Sequence, residues 1–218
     1  MPLDRLQERI ARIALALPEA RTLALAGGGA MIVHGFVART TKDIDLFTEV
    51  DDQEALDVAA ALRVALQQAG IGTRDAEREP QDYRFVAVDP AMGAECTVEV
   101  FPDGGRLRHR IRLDVGPVLH PDDLAADKVL ALWGRARPRD YHDVAALLDR
   151  YSHDDLLRLA AAKDVGFTAG RFVDALRAIE RLTDEDWTED GLDPGDSDRL
   201  RTTFGNWRMR LIDAGDGS

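Results

Sequence analysis

The chain has 218 residues, a net charge of −12, 45% hydrophobic residues and 31% charged residues. This composition is typical of a globular protein with one mixed core and an appendage, and the acidic balance argues against a whole surface that wraps nucleic acid. No apolar run is long enough to cross a bilayer, and the single Cys96 cannot form an internal disulfide. We therefore expect a cytoplasmic protein that has no membrane partner.

The first half of the chain alternates helical and extended patterns. Helical periodicity over residues 3–17 ends at Pro18, and the apolar run 23–26 predicts a strand that leads through three glycines into a buried helix over 30–36. Residues 43–47 alternate charged and apolar side chains, as a strand with one wet face requires. The remaining predicted elements of this half are a helix over 53–68 and strands over 71–74, 84–88, 96–101 and 108–115.

From Pro121 onward only helical patterns follow, and Pro121 and Pro138 suit first-turn positions. The acidic, turn-rich segment 183–198 is predicted to be a loop. The sequence therefore predicts an α/β (α+β) fold, with a mixed-sheet core in residues 1–118 and a helical subdomain in residues 119–218. The predicted helices of that subdomain cover 122–132, 138–150, 153–162, 169–182 and 200–212.

Asp43 and Asp45 are the candidate metal ligands. At positions i and i+2 of a strand they project to the same face, where their mutual repulsion is costly without a cation, while Ile44 and Leu46 face the core. Hard oxygen ligands with open positions suit Mg²⁺, with Mn²⁺ as a substitute. Taken alone, such a pair is more often surface decoration than a metal site.

Three glycines precede the acids and follow a strand. Glycine lets the backbone approach a ligand closely, and amides at a helix N-terminus favour phosphate oxygens. The spacing is also close to a dinucleotide-binding motif, but the third glycine position is Ile32 and no P-loop sequence occurs. Cations and a hydroxyl on the approach to the acids can hold a triphosphate. The predicted nucleotide-binding residues are Gly27, Gly28, Gly29, Arg39, Thr41 and Lys42.

These residues resemble the opening motif of the AbiEii/AbiGii-type nucleotidyltransferase toxins, which include the MenT toxins, within the DNA polymerase β-like superfamily. That motif is a Gly-Gly pair followed by Arg-x-Ser/Thr-x-Asp-hydrophobic-Asp, and this chain has one extra residue between the glycines and Arg39. The later family motif places a Lys in an Ala-x-Lys-hydrophobic-x-Ala-Leu helix before an Arg-Asp-x-x-Asp helix start. Residues 126–132 and 139–143 match it.

The resemblance implies a polymerase β-like nucleotidyltransferase core and an enzyme that moves a nucleoside monophosphate from an NTP to an acceptor hydroxyl. It implies that Asp43 and Asp45 bind Mg²⁺, that Lys128 contacts nucleotide phosphates and that Asp143 completes the active site. The superfamily has a third carboxylate on a neighbouring strand, for which Glu99 is the candidate. The alternative for Glu99 is an exposed strand residue.

The resemblance also implies an acceptor and a partner. The acceptor would be the 3′ end of tRNA, and the protein would be the toxin of a toxin–antitoxin system with a cognate antitoxin. The net charge of −12 favours a different acceptor, such as an antibiotic or a protein hydroxyl. A third hypothesis is a binding module of the same fold that holds a nucleotide or a protein partner without turnover. We expect a monomer.

Overall fold

The computed structural model describes residues 3–18, 21–49, 51–76, 83–103 and 105–215. The chain divides into two compact units, Met1–His120 and Pro121–Ser218. The first unit contains a mixed sheet with helices, and the described part of the second unit is helical, which confirms the predicted α/β class. Among the helices in the described ranges, none combines the length and hydropathy that spanning a membrane requires.

The described residues of the first unit form a sheet of seven strands. Its described helices are α1 (Arg5–Leu15), α2 (Gly27–Val33) and α3 (Asp52–Gln68). Its described strands are β1 (Ala24–Leu25), β2 (Asp43–Thr48), β3 (Gly72–Asp75), β4 (Arg84–Asp89), β5 (Ala94–Pro102), β6 (Ile111–Leu113) and β7 (Gly116–Val118). The strand order is β3-β4-β5-β2-β1-β7-β6, so β2 lies between a parallel neighbour, β5, and an antiparallel neighbour, β1.

Strand β2 is held in the core by its alternate residues. Ile44 and Leu46 are fully buried, whereas Asp43 and Asp45, which alternate with them, are partly exposed, as the alternating pattern predicts. Helices α1 and α3 pack against β5, and α1 also contacts β2. Both helices contribute fully buried residues to the core, including Ile10 and Leu62. This packing fixes the strand that carries the two acids.

One predicted helix boundary and one predicted strand of the first unit are wrong. Helix α2 begins at Gly27 rather than Ala30, because the Ala30 amide donates to the Ala26 carbonyl and closes a helical turn over the glycines. The single strand predicted over 108–115 is replaced by the antiparallel pair β6 and β7. The chain reverses at Asp114 and Val115, and Gly116, the first residue of β7, has a φ of +130°, a conformation that residues other than glycine rarely adopt.

The second unit contains six α-helices in its described residues. They are α4 (Pro121–Arg135), α5 (Pro138–Leu147), α6 (His153–Lys163), α7 (Ala169–Ala178), α8 (Asp184–Glu189) and α9 (Ser197–Gly215), with 3-10 turns at Ile179–Arg181 and Pro194–Asp196. Pro121 and Pro138 begin α4 and α5, as predicted. The loop predicted over 183–198 is wrong, because Thr183 and Asp186 form a reciprocal capping box and Trp187 anchors α8 by being fully buried.

Aromatic side chains form the centre of the second unit. Phe204 on α9 packs edge-on against Tyr141 of α5 at 5.1 Å between ring centroids. Trp207, also on α9, packs against Phe172 of α7 at 5.3 Å. All four side chains are buried, and the Tyr141 hydroxyl donates to the Ala175 carbonyl at 2.6 Å. These contacts join α5, α7 and α9 through one core.

We predict that Phe204→Ala destabilises the protein by about 3–5 kcal/mol, because it removes a fully buried ring and leaves a cavity. Met209→Ala on the same helix is the control, since Met209 is 53% exposed, and its effect should stay within about 0.5 kcal/mol. Urea unfolding followed by far-UV circular dichroism measures both. Equal effects of the two substitutions would contradict the assigned core.

Candidate active site

The two acids of β2 lie on one face of the sheet beside a third acid. β2 and β5 run parallel in a register that pairs Asp43 with Thr97 and Asp45 with Glu99. Glu99 is only 6% exposed, so the alternative of an exposed strand residue does not hold. Asp43, Asp45 and Glu99 therefore share the central face of the sheet.

Asp45 is seated directly on the first glycine of α2. Gly27 follows β1 and has a φ of +55°, a left-handed conformation that favours glycine. A Cβ at this position would overlap the Asp45 carboxylate and lie 2.8 Å from the Asp45 Cβ. The Ala26 amide also donates to the Asp45 carbonyl at 2.9 Å. Glycine at position 27 is thus a condition for the observed placement of Asp45.

The second glycine makes room for the loop that precedes β2. A Cβ on Gly28 would lie 2.9 Å from the Thr41 Oγ1 and 3.4 Å from the Arg39 Nη2. The Gln7 side chain of α1 donates to the Thr41 carbonyl at 2.7 Å and fixes the loop from its other side. Gly28, Arg39 and Thr41 are therefore close together, next to the seat of Asp45.

The other two predicted nucleotide-binding residues are placed differently. Lys42 lies in the same loop and is exposed. Gly29 is buried, and a Cβ on it would lie 3.2 Å from the Leu25 Cδ1 and 3.6 Å from the Leu3 Cδ2. Gly29 is thus surrounded by apolar core side chains, and close packing against them explains why a small residue stands at this position.

Glu99 forms an ion pair with an arginine that the sequence analysis did not single out. Arg84 on β4 lies opposite Glu99 in the antiparallel register and donates to its carboxylate. The sequence carries no alternation that marks Arg84, because residues 85–88 are all apolar, and the alternating burial that places Arg84 on the face of Glu99 is seen only in the structure. A local pattern cannot show that this face adjoins Glu99, because that depends on strand pairing.

Burial and negative charge dominate the electrostatics of this face. The pKa of Glu99 is raised by burial and by the charge of Asp45, while Arg84 lowers it and Asp43 raises it further. Burial, with smaller contributions from Asp4, Asp43 and Asp45, raises the pKa of the Cys96 thiol to about 12. Asp43 and Asp45 thus raise the pKa of both neighbouring groups through their negative charges. A bound cation would offset that repulsion.

The donor set fits a hard divalent cation that completes its shell from other sources. Asp43 and Asp45 supply carboxylate oxygens on one face, and Gly27 leaves the space that the Asp45 carboxylate occupies. Within the described ranges, no group of three or more His, Cys, Asp or Glu side chains is arranged to hold a metal ion. Asp43 and Asp45 are thus the two candidate protein ligands, which leaves positions for water and phosphate oxygens.

The second unit brings Lys128 and Asp143 together. Lys128 on α4 has a side chain only 8% exposed, and its Nζ lies 2.9 Å from the Asp143 Oδ2 of α5. The anionic partner that a buried lysine needs is therefore a carboxylate of the same unit. The His142 Nδ1 lies 3.6 Å from the other Asp143 oxygen.

Asp140 has a structural explanation within the same helix. Its carboxylate accepts the Arg137 amide at 3.0 Å, which caps the start of α5. It also accepts hydrogen bonds from the Arg135 guanidinium, at 2.8 Å from Nη2 and at 3.0 and 3.2 Å from Nε. Asp140 thus stabilises the turn between α4 and α5, one helical turn before Asp143.

Comparison with known proteins identifies the family. A family model described as nucleotidyl transferase AbiEii toxin, type IV toxin–antitoxin system, matches residues 10–204. The chain belongs to the AbiEii family. This confirms the resemblance and the assignment as a nucleotidyltransferase enzyme. No curated protein sequence matches significantly.

Solved structures share the AbiEii fold of this chain at low identity. JHP933 from Helicobacter pylori is 16% identical with a TM-score of 0.57, covering 99% of this chain and 97% of its own. MenT4, a nucleotidyltransferase toxin from Mycobacterium tuberculosis H37Rv, is 18% identical with a TM-score of 0.51, covering 83% of this chain and 70% of its own. At these identities the likeness concerns the fold, and it agrees with the predicted fold class.

We predict that Gly27→Ala in this AbiEii protein lowers NTP-dependent pyrophosphate release about 100-fold. The added Cβ would overlap the Asp45 carboxylate and push it away from its place beside Asp43. Gly35→Ala is the matched control. Gly35 has a φ of +71° but no atom within 4 Å of an added Cβ, so both variants should lose roughly 1–2 kcal/mol from left-handed strain. Full activity of Gly27→Ala would refute the claim that glycine at position 27 is needed to place the Asp45 carboxylate.

We also predict that Asp143→Ala costs about 3–5 kcal/mol of stability, because Lys128 is left buried without its carboxylate. Replacing both partners, as Lys128→Met with Asp143→Leu, should restore most of that loss. Asp149→Ala, at an exposed position, should change stability by no more than about 0.5 kcal/mol. Urea unfolding measures all three, and a stable Asp143→Ala protein would contradict the ion pair.

Proposed function

We propose that the chain transfers a nucleoside monophosphate from an NTP to a hydroxyl of the tRNA 3′ end in a Mg²⁺-dependent reaction. The observation that carries this proposal is the Asp45 carboxylate seated on Gly27, with Asp43 on the same face of β2. The family match supports the reaction type, since the family consists of nucleotidyltransferase toxins.

Asp43 and Asp45 would hold the divalent cation, for which Mn²⁺ would substitute. A bound metal would neutralise the triphosphate and lower the pKa of the attacking hydroxyl. Glu99, now paired with Arg84, would be the third carboxylate for the cation. The two aspartates thus set the position of the reacting phosphate, and β2 keeps that position rigid through its buried Ile44 and Leu46.

The residues around Gly28 hold the triphosphate. Arg39, Thr41 and Lys42 supply two cations and a hydroxyl beside the start of α2, and the amides of Gly28 and Gly29 add backbone donors. The acceptor oxygen attacks the α-phosphorus, the bond from that phosphorus to the bridging oxygen of pyrophosphate breaks, and the hydroxyl proton is released to solvent. Pyrophosphate leaves with its charge balanced by these donors.

We assign a separate role to each unit. The first unit is the nucleotidyltransferase core, and the helical unit completes the active site with Lys128 and Asp143. Lys128 contacts the nucleotide phosphates. Asp143 positions the Lys128 ammonium group, since the Lys128 Nζ lies 2.9 Å from the Asp143 Oδ2. Burial of both side chains supports this role, because a buried lysine with a rigid partner is preorganised for an anion.

The biological context follows from the family. A toxin of a type IV toxin–antitoxin system implies a cognate antitoxin as partner, and a tRNA acceptor places the reaction in the cytoplasm. A small-molecule or protein hydroxyl remains the second candidate acceptor, on the grounds of the net charge of −12. Nucleotide binding without turnover is the third outcome that an assay must separate.

The deciding experiment supplies the purified protein with Mg²⁺, each α-labelled NTP in turn, and total RNA. We predict label in tRNA, and a loss of about 100-fold or more for Asp43→Asn, because one carboxylate charge of the cation site is removed. Asp57→Asn, at an exposed position of α3, is the control and should keep full activity. EDTA should abolish the transfer.

Other outcomes separate the alternatives. Label only in protein or small molecules supports the second acceptor class, and nucleotide binding without pyrophosphate release supports a binding module. Full transfer by Asp43→Asn would show that the metal site is assigned to the wrong residues.

A further inference from the structure

A cavity of about 360 Å³ opens beside the acids on the sheet of the first unit. Its polar lining comes from four strands, and two of its side chains are arginines. The cavity is distinct from the nucleotide-binding residues around Gly27 and Gly28, which do not line it. Its lining residues are Asp43, Arg74, Ala76, Arg84, Val86, Thr97 and Glu99.

Strand register explains why these side chains meet. Arg84 on β4 lies opposite Glu99 on β5, which lies opposite Asp45 on β2. The next row runs from Arg74 on β3 through Val86 and Thr97 to Asp43. Each row therefore begins at an acid of β2 and ends at an arginine toward the β3 edge. Strands lie about 4.8 Å apart, so the arginines are roughly 10–15 Å from β2 along the sheet.

The two sides of β2 differ in the chemistry they offer. On one side β1 leads into Gly27, Gly28 and the loop of Arg39 and Thr41, where the proposed triphosphate lies. On the other side β5, β4 and β3 carry the cavity. Attacking and leaving oxygens in phosphoryl transfer lie roughly in line on opposite sides of the phosphorus. With pyrophosphate on the β1 side, the acceptor approaches from the cavity side.

We propose that this cavity binds the backbone phosphates of a single-stranded nucleic acid whose terminal hydroxyl is the acceptor, through Arg74 and Arg84. The inference rests on the proposed function and adds the acceptor-binding residues to it. A guanidinium presents paired N–H donors that match phosphate oxygens, which makes arginine suited to this contact.

The present partners of the arginines are compatible with this role. Arg74 pairs with Glu95 at 2.7 Å, and their side chains are 44% and 53% exposed. Such an exposed pair is weak because water solvates both groups, so a phosphate can replace Glu95. Arg84 pairs with Glu99. With Arg84 turned to a phosphate, Glu99 would be able to bind the cation beside Asp43 and Asp45, which would couple acceptor binding to completion of the acidic site.

The charged side chains of the cavity bear on the acceptor class. The lining holds two arginines, Arg74 and Arg84, and two acids, Asp43 and Glu99. With the acids assigned to the cation, a phosphodiester chain would meet two complementary charges at the arginines, whereas a polycationic small molecule would meet two like charges. The net charge of −12 describes the whole chain, whereas this contact depends on a local groove. We therefore favour a nucleic acid over a polycationic acceptor.

The test measures binding of a fluorescent single-stranded oligoribonucleotide by anisotropy over a series of salt concentrations. For single strands the slope of log K against log salt is about −0.7 for each neutralised phosphate, so Arg74→Gln with Arg84→Gln should make the slope shallower by about 1.4. Arg112→Gln is the matched control, because Arg112 is an exposed arginine on β6, the opposite edge strand of the same sheet. Its slope should equal that of the unmodified protein.

A folding defect is separated by a second variant. Arg84→Gln leaves the buried Glu99 without its arginine, so circular dichroism checks the double variant. Arg74→Gln alone keeps the Arg84–Glu99 pair and should still make the slope shallower by about 0.7. Affinity for Mg²⁺–NTP, measured by calorimetry, should stay unchanged in Arg74→Gln.

Each remaining outcome overturns the inference. An unchanged slope in Arg74→Gln, an equal change in Arg112→Gln, or no binding of RNA to the unmodified protein excludes a phosphate-binding role for the cavity. A loss of NTP affinity in Arg74→Gln with unchanged RNA binding would assign the cavity to the nucleotide. Failure of the proposed function is seen separately, as absence of pyrophosphate release with any acceptor.

Discussion

The contact between the Asp45 carboxylate and the α-carbon of Gly27 is the constraint on which the candidate site depends. A side chain at position 27 would overlap the carboxylate, and the backbone there is in a left-handed conformation. The contact therefore ties the end of β1 and the start of α2 to β2. Gly28 extends it by making room for Thr41, and Gln7 holds the Thr41 carbonyl. Backbone donors, a hydroxyl and acids thus meet within a few residues.

The charges around that contact are organised by the order of the strands. Asp43 and Asp45 occupy the centre of the sheet, Glu99 lies on the next strand, and arginines follow on the two strands beyond it. Burial, together with the charges of the nearby aspartates, raises the pKa of Glu99, and Arg84 compensates for part of this effect. A cation would relieve the same repulsion. The arrangement thus favours cation binding at its centre and anion binding toward its edge.

Buried charged side chains of the helical unit are also paired with groups of opposite charge. Lys128 and Asp143 satisfy each other between α4 and α5, and Asp140 satisfies Arg135 and the start of α5. An isolated buried charge is costly, whereas a paired one is retained when geometry or function requires it. Here the Lys128–Asp143 pair gives a cation that is held in place by the fold of its own unit.

The sequence by itself determined the features that depend on local pattern. Alternation over residues 43–47 placed Asp43 and Asp45 on one face, the prolines marked the starts of α4 and α5, and two motifs in order indicated the family. These features follow from strand and helix periods and from backbone preferences. They need no knowledge of distant contacts.

Only the tertiary structure decided which distant groups meet. It paired Glu99 with Arg84, made Asp143 the partner of Lys128, and turned Gly29 toward the core. It also formed α8 where the composition predicted a loop, because burial of Trp187 outweighs the turn-forming residues around it. Strand register and helix packing set these contacts, and neither is encoded in a short stretch of residues.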